Sequence, residues 1–191
     1  MGTAFLRKSS NDKRYFIAII PPSPIYEQAW EQKQYLWNHF DSKASLNSPP
    51  HITLHMPFKW GEKKEQELAD LLAEFTRTRE PVKINLDGYS SFPPRVVFIN
   101  VHISEPLKKM QYDLQNYCKV ELNLFNANYK ELPFHPHITI AFRDLKKPNY
   151  QKAWDEFRNK SFQGEFLADT LTLLKHDGKF WQRHIELPFR Q

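Results

Sequence analysis

Apolar residues occur along the chain in short runs that alternate with longer amphipathic stretches. The first run, RYFIAII at 14–20, is rich in β-branched and aromatic residues and stops at two prolines, which predicts a buried strand. Over 23–40, apolar residues recur at helical intervals behind a candidate capping residue, Ser23, which predicts a helix. A polar loop ending in two prolines then leads into a second strand that begins at or near His51.

The rest of the chain repeats these two patterns. Spacings of three and four residues between apolar positions predict helices, and alternation of apolar and polar positions predicts strands. Ser104 is expected to cap one helix, and Asp177-Gly178 is expected to turn a hairpin between the closing strands. The predicted elements are a helix over 62–78, strands over 82–92 and 95–103, a helix over 104–125, a strand over 137–142, a helix over 150–160 and two strands within 164–189.

The order of these elements is roughly repetitive along the chain. Such a repeat predicts an α+β protein built from two similar lobes. With 191 residues we expect one domain spanning 1–191, in which 1–13 form a flexible N-terminal segment. The sequence has no low-complexity stretch or linker that would separate two independent domains.

Composition narrows the class of protein. Hydrophobic residues make up 40% and aromatic residues 15% of the chain, which is typical of a globular protein and excludes a disordered one. The formal charge of +5 suits a polyanionic partner without requiring one. Because Cys118 is the one cysteine, no intramolecular disulfide can form. The sequence has no signal peptide or membrane-spanning run, so we expect a cytoplasmic protein.

The sequence Pro-His-Ile-Thr occurs twice, at the head of the apolar runs that begin at His51 and His137. One such histidine alone would more often be structural than catalytic, so the repetition is the informative feature. On an extended strand, alternate side chains share a face. Each strand is therefore expected to have one apolar and one polar face, the polar faces carrying His51, Thr53 and His55 in the first copy and His137, Thr139 and Ala141 in the second.

Two histidines and two threonines suit the cleavage of a phosphodiester. Two imidazoles can act as general base and general acid across one reacting centre, because their ordinary pKa lies near neutrality. Threonine hydroxyls can donate hydrogen bonds to the non-bridging oxygens of a phosphate and stabilise the charge of the transition state. Such a site needs no metal, since positioning and charge stabilisation supply most of the catalysis of phosphoryl transfer.

The chain resembles the two-histidine (2H) phosphoesterase superfamily, most closely its 2′-5′ RNA ligase-like and cyclic-phosphodiesterase branch. The family signature, two His-x-Thr/Ser-x motifs with apolar x, is matched by HITL at 51–54 and HITI at 137–140. The opening RYFIAIIPP, the FHPHITIAF around the second motif and the closing LTLLKHDGKFWQRHIELPF also occupy their expected places. The resemblance implies a bilobal α+β fold with pseudo-twofold symmetry, in which each lobe has an antiparallel sheet flanked by helices and the active-site cleft lies between the lobes.

The resemblance also implies the residues and the reaction. His51 and His137 would be the catalytic pair, and Thr53 and Thr139 would bind the substrate phosphate; which histidine is base and which is acid stays open. The expected enzyme is a phosphodiesterase with no metal or other cofactor, acting on 2′,3′-cyclic phosphates or 2′-5′ linkages, with 2′-5′ RNA ligation as the reverse reaction. Its substrates would be RNA ends or small cyclic nucleotides. We expect a monomer with no obligate protein partner and no membrane association.

The sequence departs from the family at two places. Members often have a basic residue two positions after the first threonine and an arginine just before the second Pro-His, where this chain has His55 and His135. These two histidines and Arg143 are therefore candidate accessory residues for phosphate binding, with Arg95 as a further substitute.

Two other classes of function stay open on the sequence. One is a metal site, since His51 and His55 are four residues apart and His55, His135 and His137 could cluster. The prolines before His51 and the β-branched neighbours favour a strand, however, and neither motif contains an acidic residue. The other is a non-catalytic nucleotide- or RNA-binding module that uses the same cleft for recognition. Intact histidines and threonines in both motifs favour the enzyme.

Overall fold

The computed structural model describes residues 12–190 of the chain. Eight strands occur within them: β1 (Asp12–Ile19), β2 (Ile52–Gly61), β3 (Val82–Phe92), β4 (Val96–Val101), β5 (His137–Ala141), β6 (Gln163–Ala168), β7 (Thr170–His176) and β8 (Trp181–Pro188). They form one sheet in the order β6-β3-β4-β5-β2-β1-β7-β8, and each neighbouring pair is antiparallel. The predicted α+β class is confirmed.

Four α-helices lie within the same residues: α1 (Ile25–Phe40), α2 (Glu65–Arg77), α3 (Glu105–Glu121) and α4 (Lys147–Phe157). The first packs on β5 and against α4, the second on β8, and the third on β2 and β3. Each helix buries one apolar stripe, as α2 does with Leu68, Leu72 and Phe75. None of these described helices is long and apolar enough to cross a membrane.

The sheet consists of two halves of four strands, which meet where β5 lies beside β2. In the described residues, one bridging pair, Ile52 and Ile138, joins the halves. The elements β1-α1-β2-α2 are repeated as β4-α3-β5-α4, and in both sets the two strands are antiparallel neighbours. The predicted pair of similar lobes is therefore present, as two halves of one sheet rather than as two separate sheets.

The sheet is curled, as shown by a single residue that connects strands from its two opposite sides. Asp169 alone separates β6, at one edge, from β7, which lies next to the strand at the other edge. The apolar alternation over 164–176 predicts one strand, whereas the structure has two, because the change of direction at Asp169 has no glycine or proline to mark it. The closing segment therefore contains three strands, not the predicted two.

Two local signals are confirmed. The hydroxyl oxygen of Ser104 accepts a hydrogen bond from the N–H of Leu107 (3.3 Å) at the start of α3. Between β7 and β8, Gly178 adopts a φ of 111°, a conformation that favours glycine. The Asp177 carboxylate beside it accepts hydrogen bonds from the N–H groups of the two residues after the glycine, Lys179 and Phe180. The predicted cap and hairpin are thus both present.

Several boundaries differ from the prediction by a few residues, and three of them concern a predicted cap, the start of the last helix and the N-terminal segment. Ser23 does not cap α1, which begins at Ile25 after Pro24, and no side chain of residues 12–190 caps it. The last helix begins at Lys147 rather than at residue 150. The predicted flexible segment covers residues 1–13. Residues 1–11 lie outside the described part of the chain, whereas Asp12 and Lys13 belong to β1.

Candidate active site

The bridge between Ile52 and Ile138 determines where the motif side chains lie. Both isoleucines are fully buried in the core. Because side chains alternate across a strand, the residues that flank them point to the opposite face, where all four are half-buried. Extending this antiparallel register by one residue in each direction places His51 opposite Thr139 and Thr53 opposite His137.

The two histidines occupy one diagonal of this group of four. Diagonal neighbours across an antiparallel pair are separated by about 7–8 Å. His51 and His137 are close enough for the charge of one to affect the other, since His137 contributes to lowering the pKa of His51. The structure therefore brings together the four motif residues that the sequence marks, although the two histidines are 86 positions apart along the chain (137 − 51).

The two imidazoles are held in the same way. The Nδ1 of His51 lies 2.7 Å from the carbonyl oxygen of Pro49, and the Nδ1 of His137 lies 2.7 Å from the carbonyl oxygen of His135. A carbonyl oxygen can only accept, so Nδ1 carries the hydrogen in each neutral ring. The other nitrogen, Nε2, is then an unprotonated acceptor and can take up a proton.

A phenylalanine ring packs against each of these imidazoles. The ring centres of Phe16 and His51 are 4.8 Å apart, as are those of Phe98 and His137, and the rings of each pair lie at an angle of 50°. Both phenylalanines are almost fully buried. The rings thus fix the orientation of the imidazoles from the side, while the carbonyl oxygens fix it through Nδ1.

A β-bulge follows the threonine of each motif. On β2, Thr53 pairs with Ala18 and His55 with Ile17, so Leu54 is an extra residue. On β5, Ile140 is the extra residue between Thr139 and Ala141 in the pairing with β4. Each bulge ends the alternation that the sequence pattern assumes, so the residue two positions after the threonine turns toward the core.

His55 is therefore misplaced by the sequence prediction, which puts it on the polar face. Its side chain is fully buried, and its ring lies edge-on to Phe58 with the centroids 5.3 Å apart. Its Nδ1 is hydrogen-bonded to the Met56 carbonyl oxygen (2.8 Å), while its buried Nε2 has no hydrogen-bond partner among the described residues. The bulge on β5 likewise buries Ala141, which is the counterpart of His55 in the second motif. His55 does not line the cleft.

The other two candidate accessory residues lie on the surface. His135 is exposed, and its ring centre lies 6.0 Å from that of His137, so it borders the site. Arg143 is exposed two residues beyond β5, where its guanidinium lies over the ring of Phe142 at 5.0 Å. The structure thus brings His135, but not His55, next to the motif residues.

Burial lowers the pKa of both motif histidines. The pKa of His51 falls to about 3, first because the surrounding protein partly shields the ring from water and then because of the charges of Lys33 and His137. For His137, burial again acts first in lowering the pKa, and the charge of His135 adds to it. The hydrogen bonds to Pro49 and His135 act in the opposite direction. Both imidazoles are therefore neutral in the free protein at neutral pH.

Sequence reasoning missed a buried lysine near the site. Lys33 lies in the buried stripe of α1, with 1% of its surface exposed, and its charge acts on His51. A signal was present, because Lys33 follows Ala29 by four residues and precedes Leu36 by three, positions that share the apolar face of the helix.

The described part of the chain holds neither a metal-binding cluster nor a reactive cysteine. Within residues 12–190, no cluster of three or more His, Cys, Asp or Glu side chains is arranged to hold a metal ion. Cys118 is fully buried in α3, and burial raises the pKa of its thiol to about 12, so it is an unreactive core residue.

Comparison with known sequences identifies the family. A sequence model of the 2′-5′ RNA ligase superfamily matches residues 21–180. An Oceanobacillus iheyensis protein, provisionally named a phosphoesterase, is 31% identical over 169 residues, which cover 88% of this chain and 93% of the relative. A Geobacillus kaustophilus protein with the same provisional name is 29% identical over 163 residues, covering 84% of this chain and 87% of the relative. The chain belongs to the 2′-5′ RNA ligase superfamily, and the predicted resemblance to the 2H phosphoesterases is confirmed.

Solved structures have the same fold. The Thermus thermophilus protein TT0787 superposes with a TM-score of 0.66 at 21% identity, covering 93% of this chain and 98% of that one. Escherichia coli LigT in its apo form superposes with a TM-score of 0.66 at 22% identity, covering 95% and 100%. At such identities the likeness concerns the fold alone, and the chemistry must be argued from the site.

Proposed function

We propose that the protein is a metal-independent phosphodiesterase that opens 2′,3′-cyclic phosphates, or cleaves 2′-5′ linkages, of RNA or nucleotides. The observation that carries this proposal is the register of the bridge between Ile52 and Ile138, which groups two imidazoles and two hydroxyls on one face of the sheet. Membership of a family whose named relatives include phosphoesterases supports the same class of reaction.

In the proposed hydrolysis, one of the two imidazoles accepts a proton from water through Nε2 while the water oxygen attacks phosphorus. The other imidazole, in its protonated form, donates its Nε2 proton to the ribose oxygen as the bond between that oxygen and phosphorus breaks. The product has one free ribose hydroxyl and one phosphomonoester. Proton exchange with solvent then returns both histidines to their starting states.

Thr53 and Thr139 would each donate a hydrogen bond to a non-bridging phosphate oxygen. Each threonine lies beside the histidine of the opposite motif, so both strands would contact the same phosphate. Two neutral donors on rigid strands stabilise the charge that gathers on these oxygens in the transition state without the need to reorganise. The proposed role of the threonines is thus electrostatic and not acid–base.

The lowered pKa values fit a site that completes its acid–base pair on binding. In the free protein both imidazoles are neutral, so neither can act as the acid. A phosphodiester brings a negative charge between them, which favours the protonated form of one ring. Substrate binding therefore supplies the electrostatic condition under which one imidazole becomes the acid and the other remains the base.

A nucleotide substrate is supported by an exposed aromatic ring beside the site. Phe92 is 40% exposed, and its ring centre lies 5.3 Å from that of His137. Exposed aromatic rings can stack on nucleobases. LigT has been solved in complexes with 3′-AMP and with phosphate. We propose the same class of ligand here, with 2′-5′ ligation at the same residues when a 5′-hydroxyl, in place of water, attacks the 2′,3′-cyclic phosphate and the 3′-oxygen leaves.

The proposal is tested by hydrolysis of a panel of 2′,3′-cyclic nucleotides and 2′-5′ linked dinucleotides in the presence of EDTA. We expect turnover that EDTA does not change and that falls by about 10²–10⁴-fold in His51→Ala and in His137→Ala. His102→Ala, at an exposed loop position, is the matched control and keeps full activity. Identification of the product as a 2′- or 3′-phosphate shows which ribose oxygen leaves.

Two outcomes would contradict the proposal. Tight nucleotide binding without turnover would identify a non-catalytic binding module. Turnover that is abolished by EDTA and restored by added metal would identify a metal enzyme.

A further inference from the structure

Lys33 is a buried cation whose hydrogen-bond acceptors are backbone carbonyl oxygens. Its Nζ donates to the carbonyl oxygens of Ser45 (2.9 Å) and Ser48 (2.8 Å), and its ammonium lies 5.8 Å from the ring of Trp30. Burying an ammonium group costs free energy unless its hydrogens find acceptors. The acceptors here belong to the segment between α1 and β2, so the lysine holds that segment against the helix.

The same segment is attached to the strand of the second motif. Ser45 is buried, and its hydroxyl donates a hydrogen bond of 2.7 Å to the carbonyl oxygen of Ile140 on β5. Ser45 therefore receives Lys33 at its carbonyl group and holds β5 with its side chain. Ile140 directly follows Thr139, so this contact lies next to the second motif.

The segment held by Lys33 also leads directly to the first motif. The carbonyl group of Ser48 lies one residue before that of Pro49, which accepts the hydrogen bond from Nδ1 of His51. A change in the path of this backbone would rotate the imidazole of His51. Lys33 is thus connected to His51 through Ser48 and to β5 through Ser45.

We propose that Lys33 is a positioning residue, which fixes the segment before His51 onto β5 and so sets the placement of the two imidazoles around the substrate phosphate. The catalytic part of this inference rests on the proposed function.

The charge of Lys33 gives this arrangement a second effect. Within residues 12–190, two charged or titratable groups act on His51, namely Lys33 from α1 and His137 from β5. The β1 ring packed on His51, that of Phe16, is uncharged. Burial lowers the pKa of Lys33 to about 7, and the pKa of His51 is about 3. Lys33 is therefore a cation throughout the range in which His51 would gain a proton, and it keeps His51 in the neutral form.

The test compares Lys33→Met, which removes the ammonium at similar length, with Lys152→Met, at an exposed position on α4. Steady-state kinetics on a 2′,3′-cyclic nucleotide and NMR titration of the His51 and His137 rings are measured for each variant. We expect Lys33→Met to lower kcat about tenfold or more with little change in KM, because the imidazole is misplaced. We also expect the pKa of His51 to rise by about one pH unit, with a smaller change at His137. Lys152→Met should match the wild type.

Ser45→Ala keeps the carbonyl group that receives Lys33 but loses the hydroxyl that holds β5. We expect a lower kcat without a change in the pKa of His51, and this variant decides the positioning role if Lys33→Met does not fold. Wild-type kcat in Ser45→Ala, or wild-type kcat and wild-type His51 pKa in Lys33→Met, would overturn the proposal. If the wild type hydrolyses no substrate of the panel, the proposed function fails, whereas the NMR titration still decides whether Lys33 acts on His51.

Discussion

The ring of Phe92 lies at 87° to that of His137, with the ring centres 5.3 Å apart and 40% of Phe92 exposed. A base stacked on Phe92 would place its nucleotide phosphate near His137. Stacking is worth about 1–3 kcal/mol per base, so we predict that Phe92→Ala raises KM for cyclic nucleotides about tenfold and changes kcat little. Phe125→Ala, at another exposed phenylalanine, is the control for loss of an aromatic ring. An unchanged KM in Phe92→Ala would exclude stacking there.

The two threonines give a prediction about the transition state. Valine has nearly the shape of threonine but no hydroxyl, so Thr53→Val and Thr139→Val remove one donor each and leave the strand intact. We predict that each lowers kcat about 10²-fold or more, because loss of a comparable donor costs about 10²–10³-fold. A change confined to KM would mean that the hydroxyls bind the ground state and the transition state equally.

The lowered pKa values of the motif histidines predict an acid-shifted pH profile. The reaction needs one imidazole protonated, and burial lowers the pKa of both, so the acid form is lost at a lower pH than for an exposed histidine. We predict that kcat/KM falls about tenfold per pH unit as pH rises above about 6.5. The kcat profile should decline at higher pH, because bound phosphate favours protonation. A kcat/KM that is constant up to about pH 8 would contradict this assignment.

The buried ring of His55 makes the folding stability of the protein depend on pH. Burial lowers the pKa of its ring, so its folded-state value lies below that of the unfolded chain, and stability is lost as pH falls below about 6.5. We predict that His55→Leu is within about 1 kcal/mol of the wild type at neutral pH and more stable than it at about pH 5, because the unpartnered Nε2 is removed. Urea unfolding at both pH values measures this, with exposed His102→Leu as the control. Equal acid sensitivity of wild type and His55→Leu would be the contrary result.

The carboxylate of Asp144 is expected to stabilise the segment between α1 and β2. Its carboxylate accepts hydrogen bonds from the hydroxyl of Ser42 (3.0 Å) and from the backbone N–H groups of Lys43 (2.9 Å) and Ala44 (2.7 Å). We predict that Asp144→Ala lowers the free energy of unfolding by about 2 kcal/mol, since these donors lose a charged acceptor. Asp155→Ala, at an exposed ion pair on α4, should cost less than about 0.5 kcal/mol in the same unfolding experiment.

Where sequence signals are local, the sequence predicted the structure well. The Ser104 cap needs only a hydroxyl three residues before an N–H, and the hairpin at Gly178 needs only a residue that tolerates positive φ. The paired motifs were also recognisable, because both imidazoles and both hydroxyls recur at the same spacing. What remained inaccessible was the register between the motif strands, which the bridge of Ile52 and Ile138 defines.

The errors come from features that depend on partner strands. The bulge at Leu54 is set by how β2 pairs with β1, so a two-residue alternation cannot place His55 correctly. The break at Asp169 is set by strand pairing at opposite sides of the sheet. Lys33 departs from the expectation that charged residues face solvent, because two carbonyl groups, 12 and 15 residues further along the chain, accept hydrogen bonds from its ammonium.

Each motif strand is covered by a helix from the opposite half of the chain, since α1 packs on β5 and α3 packs on β2. A fragment that contained only 82–168 would have the four strands of one half-sheet but would expose the surface of β5 that α1 covers. Each half of the sheet therefore depends on a helix of the other half to cover the apolar surface of its motif strand. A substitution on the buried face of α1 is therefore expected to act first on the strand of His137, which belongs to the other half of the sheet.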